Sequence, residues 1–367
     1  MIKPRHGIRQ WGKISLCLCL SSLLLPSCAV VGPEAIRSGR LAYNKAIKET
    51  NNQQVLTVLV HNRYDETYQM LSVSSVTANV RITSQAQVET GFGDGDDYAG
   101  NLVPFRGGFI YEENPTISYQ PLSGEAYLQQ ITSPLSLSLF AKMTRSLPNP
   151  DYAYDILLSS VNGIRNKEFL YFDQQDDPRF DRFVELIIEL THRHCLNWVE
   201  TPNTNSAARL VIAPDSERSL QLSRELLELL GIGHLPASGG MWSIPMYKDY
   251  ERQHSAGISI TTRSVWDLIE IMTGAVQVPP EDEMRGVAVD FPRPGRAGRQ
   301  LQILFSESKP EQAYVAVEHR GGWFYIDEAD RATKRYFKLL SNLWSAVMAH
   351  SLDAGSSRPV LTVPVSR

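Results

Sequence analysis

A long alternation of apolar and polar residues within 75–90 is the strongest constraint on the fold. The order is Val80, Arg81, Ile82, Thr83, Ser84, Gln85, Ala86, Gln87, Val88 and Glu89. A period of two residues is typical of a strand, because successive side chains then lie on opposite faces of a sheet. A turn rich in Gly and Asp follows at 91–101, and residues 105–120 again have an extended pattern. The sequence therefore predicts a long β-hairpin over about 71–120.

Helical periodicity dominates the residues on both sides of this hairpin. Helices are predicted at 33–64 with a break at Asn51-Asn52, and at 123–131, 135–144, 151–164 and 178–194. After residue 195 we expect strands at 196–201, 209–213, 241–247 and 257–261, helices at 216–230, 264–274 and 328–350, and a second hairpin from 301–305, 313–318 and 323–326. Separate blocks of helices and strands favour an α+β fold over a doubly wound parallel sheet. We expect N-terminal helices, the long hairpin and a helical middle within 35–195, packed with a mixed α+β part at 196–367.

The first residues have the three parts of an export signal. Lys3, Arg5, Arg9 and Lys13 precede an apolar run at 14–25, and Pro26-Ser27-Cys28 follows. The run is shorter than the about 20 residues that a membrane-spanning helix needs. Ser27-Cys28 resembles the lipobox of bacterial lipoproteins, which implies a signal peptide at 1–27, lipidation of Cys28 and a tether at 28–34. Ala29 after the cysteine then implies the outer membrane, facing the periplasm. The alternative is a plain secretory signal.

The composition bears on two questions, whether the chain binds nucleic acid and whether a disulfide stabilises it. The chain has 36 Lys and Arg residues, four of them in the leading segment, against 40 Asp and Glu residues. The mature body is therefore acidic, and we expect no nucleic-acid partner, since such binding needs a basic face. If Cys28 carries lipid, Cys195 is the one cysteine that remains, so an intramolecular disulfide is excluded. Cys195 is either a reactive thiol or a small buried apolar residue at the end of a helix.

A broader resemblance involves four short segments of the body. They are Tyr43-Asn44-x-Ala46-Ile47, Val60-x-x-Arg63-Tyr64, Arg320-Gly321-x-Trp323-Phe324-Tyr325-Ile326-Asp327 and the ending from Pro359 to Pro364. Together they resemble landmarks of an uncharacterised family of bacterial envelope lipoproteins. The resemblance implies lipidation and a globular envelope body. It implies no reaction, no cofactor and no catalytic residue.

Metal and catalytic motifs are weak in this sequence. His192-Arg193-His194-Cys195 contains ligand types, but neighbours two apart on a helix point to different sides. The other histidines, His61 and His319 among them, are isolated in sequence. Two aspartate groups, one at 94–97 and one at 173–181, lack the spacing of a calcium loop. We therefore predict no metal and no cofactor, and leave catalytic residues unassigned.

Three features are candidates for contact with a partner. The acidic hairpin turn contains Asp94, Asp96 and Asp97. A loop rich in Pro and Gly contains Arg293, Arg296 and Arg299, and the segment after a Gly-Gly turn contains the alternate aromatic residues Trp323 and Tyr325. Each has a simpler interpretation as a solvated turn, a solvated loop or a packed hairpin.

Together these patterns predict a lipid-anchored bacterial envelope protein that acts as a binding or assembly component at the membrane surface. Its partner would be another envelope protein or further copies of itself. The alternative is a periplasmic hydrolase that acts on cell-wall or lipid material through a carboxylate or metal site hidden in the sequence. A pocket with clustered acids or histidines would favour the hydrolase, and an open hairpin edge would favour the binding protein.

Overall fold

The fold is taken from a computed structural model of the chain. It describes residues 28–77, 80–88, 105–113, 116–147, 150–166, 177–200, 208–233, 240–248, 257–291, 300–353 and 361–364. Contacts divide the chain into two units, one ending at Gln53 and one beginning at Gln54. No helix in these ranges combines the length and the apolar character that crossing a bilayer requires.

The helices follow amphipathic sequence patterns, and most begin at residues that suit a cap. They are α1 (Cys28–Arg63), α2 (Glu125–Thr132), α3 (Leu137–Ser146), α4 (Asp151–Leu157), α5 (Pro178–His192), α6 (Glu217–Leu229), α7 (Val265–Thr273), α8 (Pro280–Arg285) and α9 (Arg331–Asp353). Asp177 caps α5 by accepting a hydrogen bond from the Arg179 N–H at 3.1 Å, and Pro178 occupies the first turn. Ser216 and Ser264 begin α6 and α7 with capping boxes.

A six-stranded sheet forms the centre of the second unit. Its strands are β5 (Leu158–Val161), β6 (Ile164–Arg165), β7 (Leu196–Glu200), β8 (Ala208–Ile212), β9 (Trp242–Lys248) and β10 (Ile258–Thr262), in the order β6-β5-β10-β9-β8-β7. Only β9 and β10 pair in parallel. Buried residues alternate along β8 and β10, and α3 and α5 pack against strands of the sheet. Strands from both sides of position 195 build this sheet.

The predicted long hairpin is present as two successive paired segments. Strands β1 (Met70–Thr77) and β4 (Thr116–Leu122) pair in antiparallel fashion, and β14 (Leu361–Pro364) adds to the other edge of β4. Farther along the hairpin, β2 (Val80–Val88) pairs with β3 (Phe105–Glu113) through nine residue pairs. We call β2 and β3 together the ribbon.

The second predicted hairpin lies near the C-terminal helix. Strands β11 (Leu304–Ser306), β12 (Ala313–His319) and β13 (Gly322–Asp327) form a sheet in the order β11-β13-β12. Phe324 and Ile326 of β13 are fully buried in the core. Helices α2, α7 and α9 pack against one another, and the ring of Tyr127 meets that of Trp344 edge-on. Helices and strands in separate layers make this an α+β fold, as the sequence predicts.

Two local predictions are wrong. Helix α1 continues through Asn51-Asn52, because two asparagines cost a helix little while Leu56, Leu59 and Val60 on the same helix become fully buried. The helix predicted at 151–164 ends at Leu157, where β5 begins. Asn162 and Gly163 both have positive φ and turn the chain into β6, as a type I′ hairpin requires. Helix α1 begins at Cys28 and so includes residues 28–34, whose role as a lipidated tether stays a prediction.

Candidate functional site

Several residues singled out from sequence lie outside the described part of the chain. These are Asp94, Asp96, Asp97, Arg293, Arg296 and Arg299. Cys28 is the first residue of α1, and only its backbone is described. The lipidation of Cys28 and the contacts expected of the six charged residues therefore stay predictions.

Trp323 and Tyr325 lie on one face of the β11-β13-β12 sheet. Both side chains are half-buried, whereas Phe324 and Ile326 between and beyond them are fully buried on the opposite face. Trp323 pairs with Ser306 and Glu318, and the Lys309 ammonium lies 5.2 Å from the centre of its ring. This face is partly exposed to solvent, and a role for the two aromatic residues in partner contact stays a prediction.

The register of the ribbon separates its residues into two unlike faces. On one face Ile82 pairs with Tyr111, Ser84 with Phe109 and Val88 with Phe105. The alternate pairs join Arg81, Thr83, Gln85 and Gln87 of β2 to Glu112, Ile110, Gly108 and Arg106 of β3, so they are polar apart from Ile110 and Gly108. Of the two small residues of β2 in the first set of pairs, Ser84 stands opposite Phe109 and Ala86 stands opposite Gly107. By register and sequence, the first set of pairs therefore contains more large apolar residues than β2 alone indicates.

Along β1 the hairpin becomes more exposed with distance from its base. Met70 and Leu122 at the base are buried, and the Leu71 N–H donates to Gln54 Oε1 at 3.0 Å. Ser74, Ser75 and Thr77 farther along β1 are exposed. Within the described ranges, no third strand pairs with the outer edge of β2 or of β3, and β1 is an edge strand of its sheet. Such edges carry backbone groups that can accept another strand.

Cys195 is a buried structural residue. Its thiol donates to Asp215 Oδ1 at 3.3 Å, and the Ser219 hydroxyl donates to the same oxygen at 3.0 Å. The Cys195 thiol, followed by the two serine hydroxyls, lowers the pKa of the Asp215 carboxyl. The geometry thus favours the interpretation of Cys195 as a small buried residue over that of a nucleophile.

The His192–Cys195 segment ends α5, as the sequence predicts. The Cys195 N–H donates to the Leu190 carbonyl at 3.0 Å, and His194 has a positive φ of 58°. His192 and His194 are exposed. A shallow, open groove nearby is lined by residues of α5 and by the residue that follows it, namely Glu185, Ile188, Glu189, His192 and Arg193.

A different pair of histidines does converge. His61 near the end of α1, Glu66 just after it and His319 at the end of β12 offer ring nitrogens and carboxylate oxygens within 4.8 Å of one another. His61 Nδ1 lies 3.3 Å and His319 Nε2 lies 3.2 Å from Glu66 Oε2. Both ring nitrogens are buried and lack a partner with hydrogen-bond geometry. We call these three residues the His–Glu cluster.

Local backbone geometry places each member of the His–Glu cluster. Helix α1 ends in a Schellman motif, in which the Glu66 N–H donates to the His61 carbonyl at 2.9 Å and Asp65 has a positive φ of 55°. This turn folds Glu66 back toward His61. A tight turn at Arg320-Gly321, with φ values of 52° and 81°, holds His319 at the end of β12.

A network of polar groups supports the cluster from one side. Arg320 Nη1 donates to Glu66 Oε1 at 3.3 Å, and Arg320 Nε lies 3.4 Å from Asp282 Oδ2. The Tyr64 hydroxyl donates to Asp282 Oδ2 at 2.9 Å, and the Arg320 guanidinium lies 5.0 Å from the centre of the Tyr64 ring. The network therefore joins two of the landmark segments, one around Tyr64 and one beginning at Arg320.

Burial sets the protonation of two groups in this region. Burial lowers the pKa of His319 below its ordinary 6.5, with Glu66 acting in the opposite direction. Burial, followed by the hydrogen bond to Asp282, raises the pKa of Tyr64 well above its ordinary 10.0. Near neutral pH His319 is thus a neutral imidazole and Tyr64 a neutral phenol that donates a hydrogen bond.

The sequence analysis missed the His–Glu cluster because its members are far apart in the chain. His319 follows Glu66 by 253 positions in the sequence. Ligand motifs rely on short spacing, whereas this cluster depends on the packing of a helix end against a hairpin end. The available signal was that His61 lies within the landmark segment from Val60 to Tyr64, and that His319 directly precedes the landmark segment that begins at Arg320.

Comparison with known proteins adds no relative: no family model, no curated protein and no solved structure matches the chain at a significant level. The resemblance to envelope lipoproteins therefore stays a prediction from the sequence landmarks.

Proposed function

We propose that this chain is an exported, lipid-anchored protein of the bacterial envelope that binds an envelope protein, or further copies of itself, through its long hairpin. The location is supported by the leading basic segment, the short apolar run and Ser27-Cys28. A lipidated Cys28 would anchor the chain to the outer membrane, with the body facing the periplasm.

The ribbon is the observation that carries the binding proposal. It pairs nine residues of β2 with nine of β3, and within the described ranges neither outer edge has a neighbouring strand. An isolated two-stranded hairpin is marginally stable in water, and a third strand or a packed surface normally stabilises it. A partner that covers this ribbon would therefore stabilise it as well as bind it.

The two faces of the ribbon indicate how a partner would bind. The face with Ile82, Val88, Phe105, Phe109 and Tyr111 offers apolar surface, while the open edges offer backbone donors and acceptors. Adding a strand at an edge gives affinity through backbone hydrogen bonds, and side-chain pockets for alternate residues add specificity. We therefore expect the partner to contribute both a strand and an apolar surface.

The test removes the ribbon and leaves its base intact. Thr77 and Thr116 pair directly across the hairpin, so an Asn-Gly turn can replace residues 78–115 without opening β1 and β4. Full-length protein and this variant would each be purified from the native host in mild detergent after gentle crosslinking, and weighed by native mass spectrometry. We expect a recurrent companion or a second copy with the wild-type chain, and neither with the variant.

Matched substitutions separate contact from misfolding. Ala86→Lys places a charge on the apolar face of the ribbon, and Gln85→Lys places the same charge on the polar face. We expect only Ala86→Lys to lose the companion. A folded variant without the ribbon that keeps its companion would overturn the proposal, as would a wild-type chain that is consistently a lone lipidated monomer.

A periplasmic hydrolase is the second candidate, and the His–Glu cluster is the observation that favours it. Two imidazoles and a carboxylate are the donor set of several hydrolytic zinc sites. Hydrolysis of peptidoglycan or phospholipid by the purified chain, lost on Glu66→Gln, would favour this function over binding. It ranks second because the open ribbon has no role in such a mechanism.

A further inference from the structure

We propose that His61 Nδ1, Glu66 Oε2 and His319 Nε2 bind a divalent transition-metal ion, with Zn²⁺ the best match to these ligands. The site would connect the end of α1 to the hairpin of β12 and β13. It lies in a different part of the chain from the ribbon and does not depend on the proposed binding function.

The distances within the cluster fit a shared ion. Zinc binds imidazole nitrogen and carboxylate oxygen at about 2.0–2.2 Å, so two ligands of one tetrahedral ion lie about 3.3 Å apart. The two nitrogen-to-oxygen distances in the cluster are 3.3 Å and 3.2 Å. The third separation, between the two ring nitrogens, is within 4.8 Å and would shorten on binding.

The orientation of the groups also favours an ion over direct hydrogen bonds. A hydrogen bond needs the carboxylate oxygen close to the line of the ring N–H, and neither His61 Nδ1 nor His319 Nε2 has a partner that meets this condition. In a tetrahedral site the ion occupies that line and the neighbouring ligand lies to one side of it. Two buried ring nitrogens that lie 3.3 Å and 3.2 Å from one carboxylate oxygen without a hydrogen bond to it are compatible with this arrangement.

The surrounding network supports this assignment. Arg320 Nη1 donates to Glu66 Oε1, which leaves Oε2 to face the two imidazoles. Arg320 is in turn held by Asp282, and Asp282 accepts from the Tyr64 hydroxyl. Outer groups that fix a ligating carboxylate in this manner are a regular feature of metal sites. The chain thus provides the ligands and a rigid support for one of them.

Three protein ligands leave one position of a tetrahedral ion open. Structural zinc sites usually have four protein ligands, whereas sites that bind water or another ligand have three. Glu66 contributes one negative charge and the imidazoles bind as neutral groups, so the bound ion would keep a net positive charge. We therefore expect the fourth position to hold water or an exchangeable anionic ligand.

The test uses the full-length chain freed of metal by a chelator and titrated with Zn²⁺ alone. We expect one ion per chain by calorimetry, and a rise in melting temperature on binding, because a ligand that prefers the folded state stabilises it. Co²⁺ in place of Zn²⁺ should give the intense visible absorption of a tetrahedral site.

Single substitutions identify the ligands. His61→Ala, His319→Ala and Glu66→Gln should each weaken Zn²⁺ binding at least tenfold, while His192→Ala, which removes an exposed histidine of α5, should leave binding unchanged. Circular dichroism of the metal-free variants reports whether each is folded. Binding that all three ligand variants retain, or no binding by the folded wild-type chain, would show that the cluster is an ion-pair cluster without a metal.

Discussion

The six-stranded sheet and the ribbon are built from the same kind of strand and have opposite surroundings. In the sheet, Ile260 of β10 lies between paired strands on both sides and is 1% exposed. In the ribbon, β2 and β3 have only each other as neighbours among the described strands. Helices pack on the sheet, whereas the outer edges of the ribbon have no paired strand within the described ranges.

If the proposed function is right, this difference separates the residues that stabilise the fold from those that bind a partner. A strand that is paired on both edges and covered by helices has little left to offer a partner. Under the proposed function, the two-stranded ribbon would instead provide the contact surface for a partner. We therefore expect substitutions in the sheet to change the free energy of unfolding, and substitutions in the ribbon to change association.

The largest effect should come from the proposed lipid anchor. Cys28→Ala removes the thiol that would carry lipid, so the protein should move almost completely from the membrane fraction to the soluble periplasmic fraction. The melting temperature of the body should not change, because Cys28 precedes the unit that contains the sheet. Membrane association that resists alkaline extraction in the Cys28→Ala variant would contradict the anchor.

A matched pair of isoleucines tests the packing difference. Ile260→Ala in β10 should lower the free energy of unfolding by about 2–5 kcal/mol, because it leaves a cavity in a closely packed core. Ile82→Ala in β2 should lower it by no more than about 0.5 kcal/mol. Chemical denaturation of both variants measures the two values, and comparable losses would show that the ribbon belongs to the core.

Two tyrosine variants, one in the core and one in the ribbon, test the same difference in surroundings by removing a single hydroxyl group. The Tyr154 hydroxyl accepts a hydrogen bond from Trp198 Nε1 at 2.6 Å in the core. Tyr154→Phe leaves the buried indole N–H without this partner and should destabilise the protein by about 1–3 kcal/mol. Tyr111→Phe in the ribbon should have no measurable effect on the free energy of unfolding. Equal effects in denaturation experiments would count against the proposed difference in surroundings.

The smallest effect concerns pH and a half-buried acid of α7. Burial raises the pKa of the Glu270 carboxyl above its ordinary 4.5, while Asn62 Nδ2 donates to its Oε1 at 3.3 Å. The folded state therefore binds the proton of the Glu270 carboxyl more tightly than the unfolded state does. Protonation of Glu270 thus stabilises the fold at low pH, and this stabilisation is lost as pH rises from 4.5 through the folded-state pKa.

Glu270→Gln should remove this contribution to the pH dependence. The difference in free energy of unfolding between the Glu270→Gln variant and the wild type should change slightly in favour of the variant between pH 4.5 and 7. Glu228→Gln, which alters an exposed carboxylate of α6, is the control. Parallel stability profiles for wild type and Glu270→Gln would show that Glu270 titrates normally.

The sequence predicts most helices and strands because their patterns are local. The alternation around Ile82 locates the hairpin, and Asp177-Pro178 marks the start of α5. The errors occur where packing or a turn overrides the pattern, as in the unbroken α1 and in the β5–β6 hairpin. The Asn162-Gly163 pair between two apolar segments was a sufficient signal for that hairpin and was not used.

The candidate sites were less accessible from sequence than the fold. Trp323 and Tyr325 were placed correctly on one face of a hairpin, because alternation is a local property. The aromatic residues opposite Ser84 and Val88 depend on the register of two strands, which the sequence of β2 alone does not specify. His61 and His319 meet only because a helix end packs against a hairpin turn, and no local pattern encodes that contact.

Hydrogen exchange of the ribbon is the most direct measurement of whether a partner covers it. Half of the backbone N–H groups of β2 and β3 point away from the paired strand and exchange rapidly when water reaches them. We would compare peptides spanning 80–88 and 105–113 in native membranes and in the purified detergent monomer, with β8 of the sheet as the internal reference. We expect strong protection of the ribbon in membranes, its loss in the monomer, and equal protection of β8 in both. A ribbon that exchanges equally fast in both preparations would contradict binding through the hairpin.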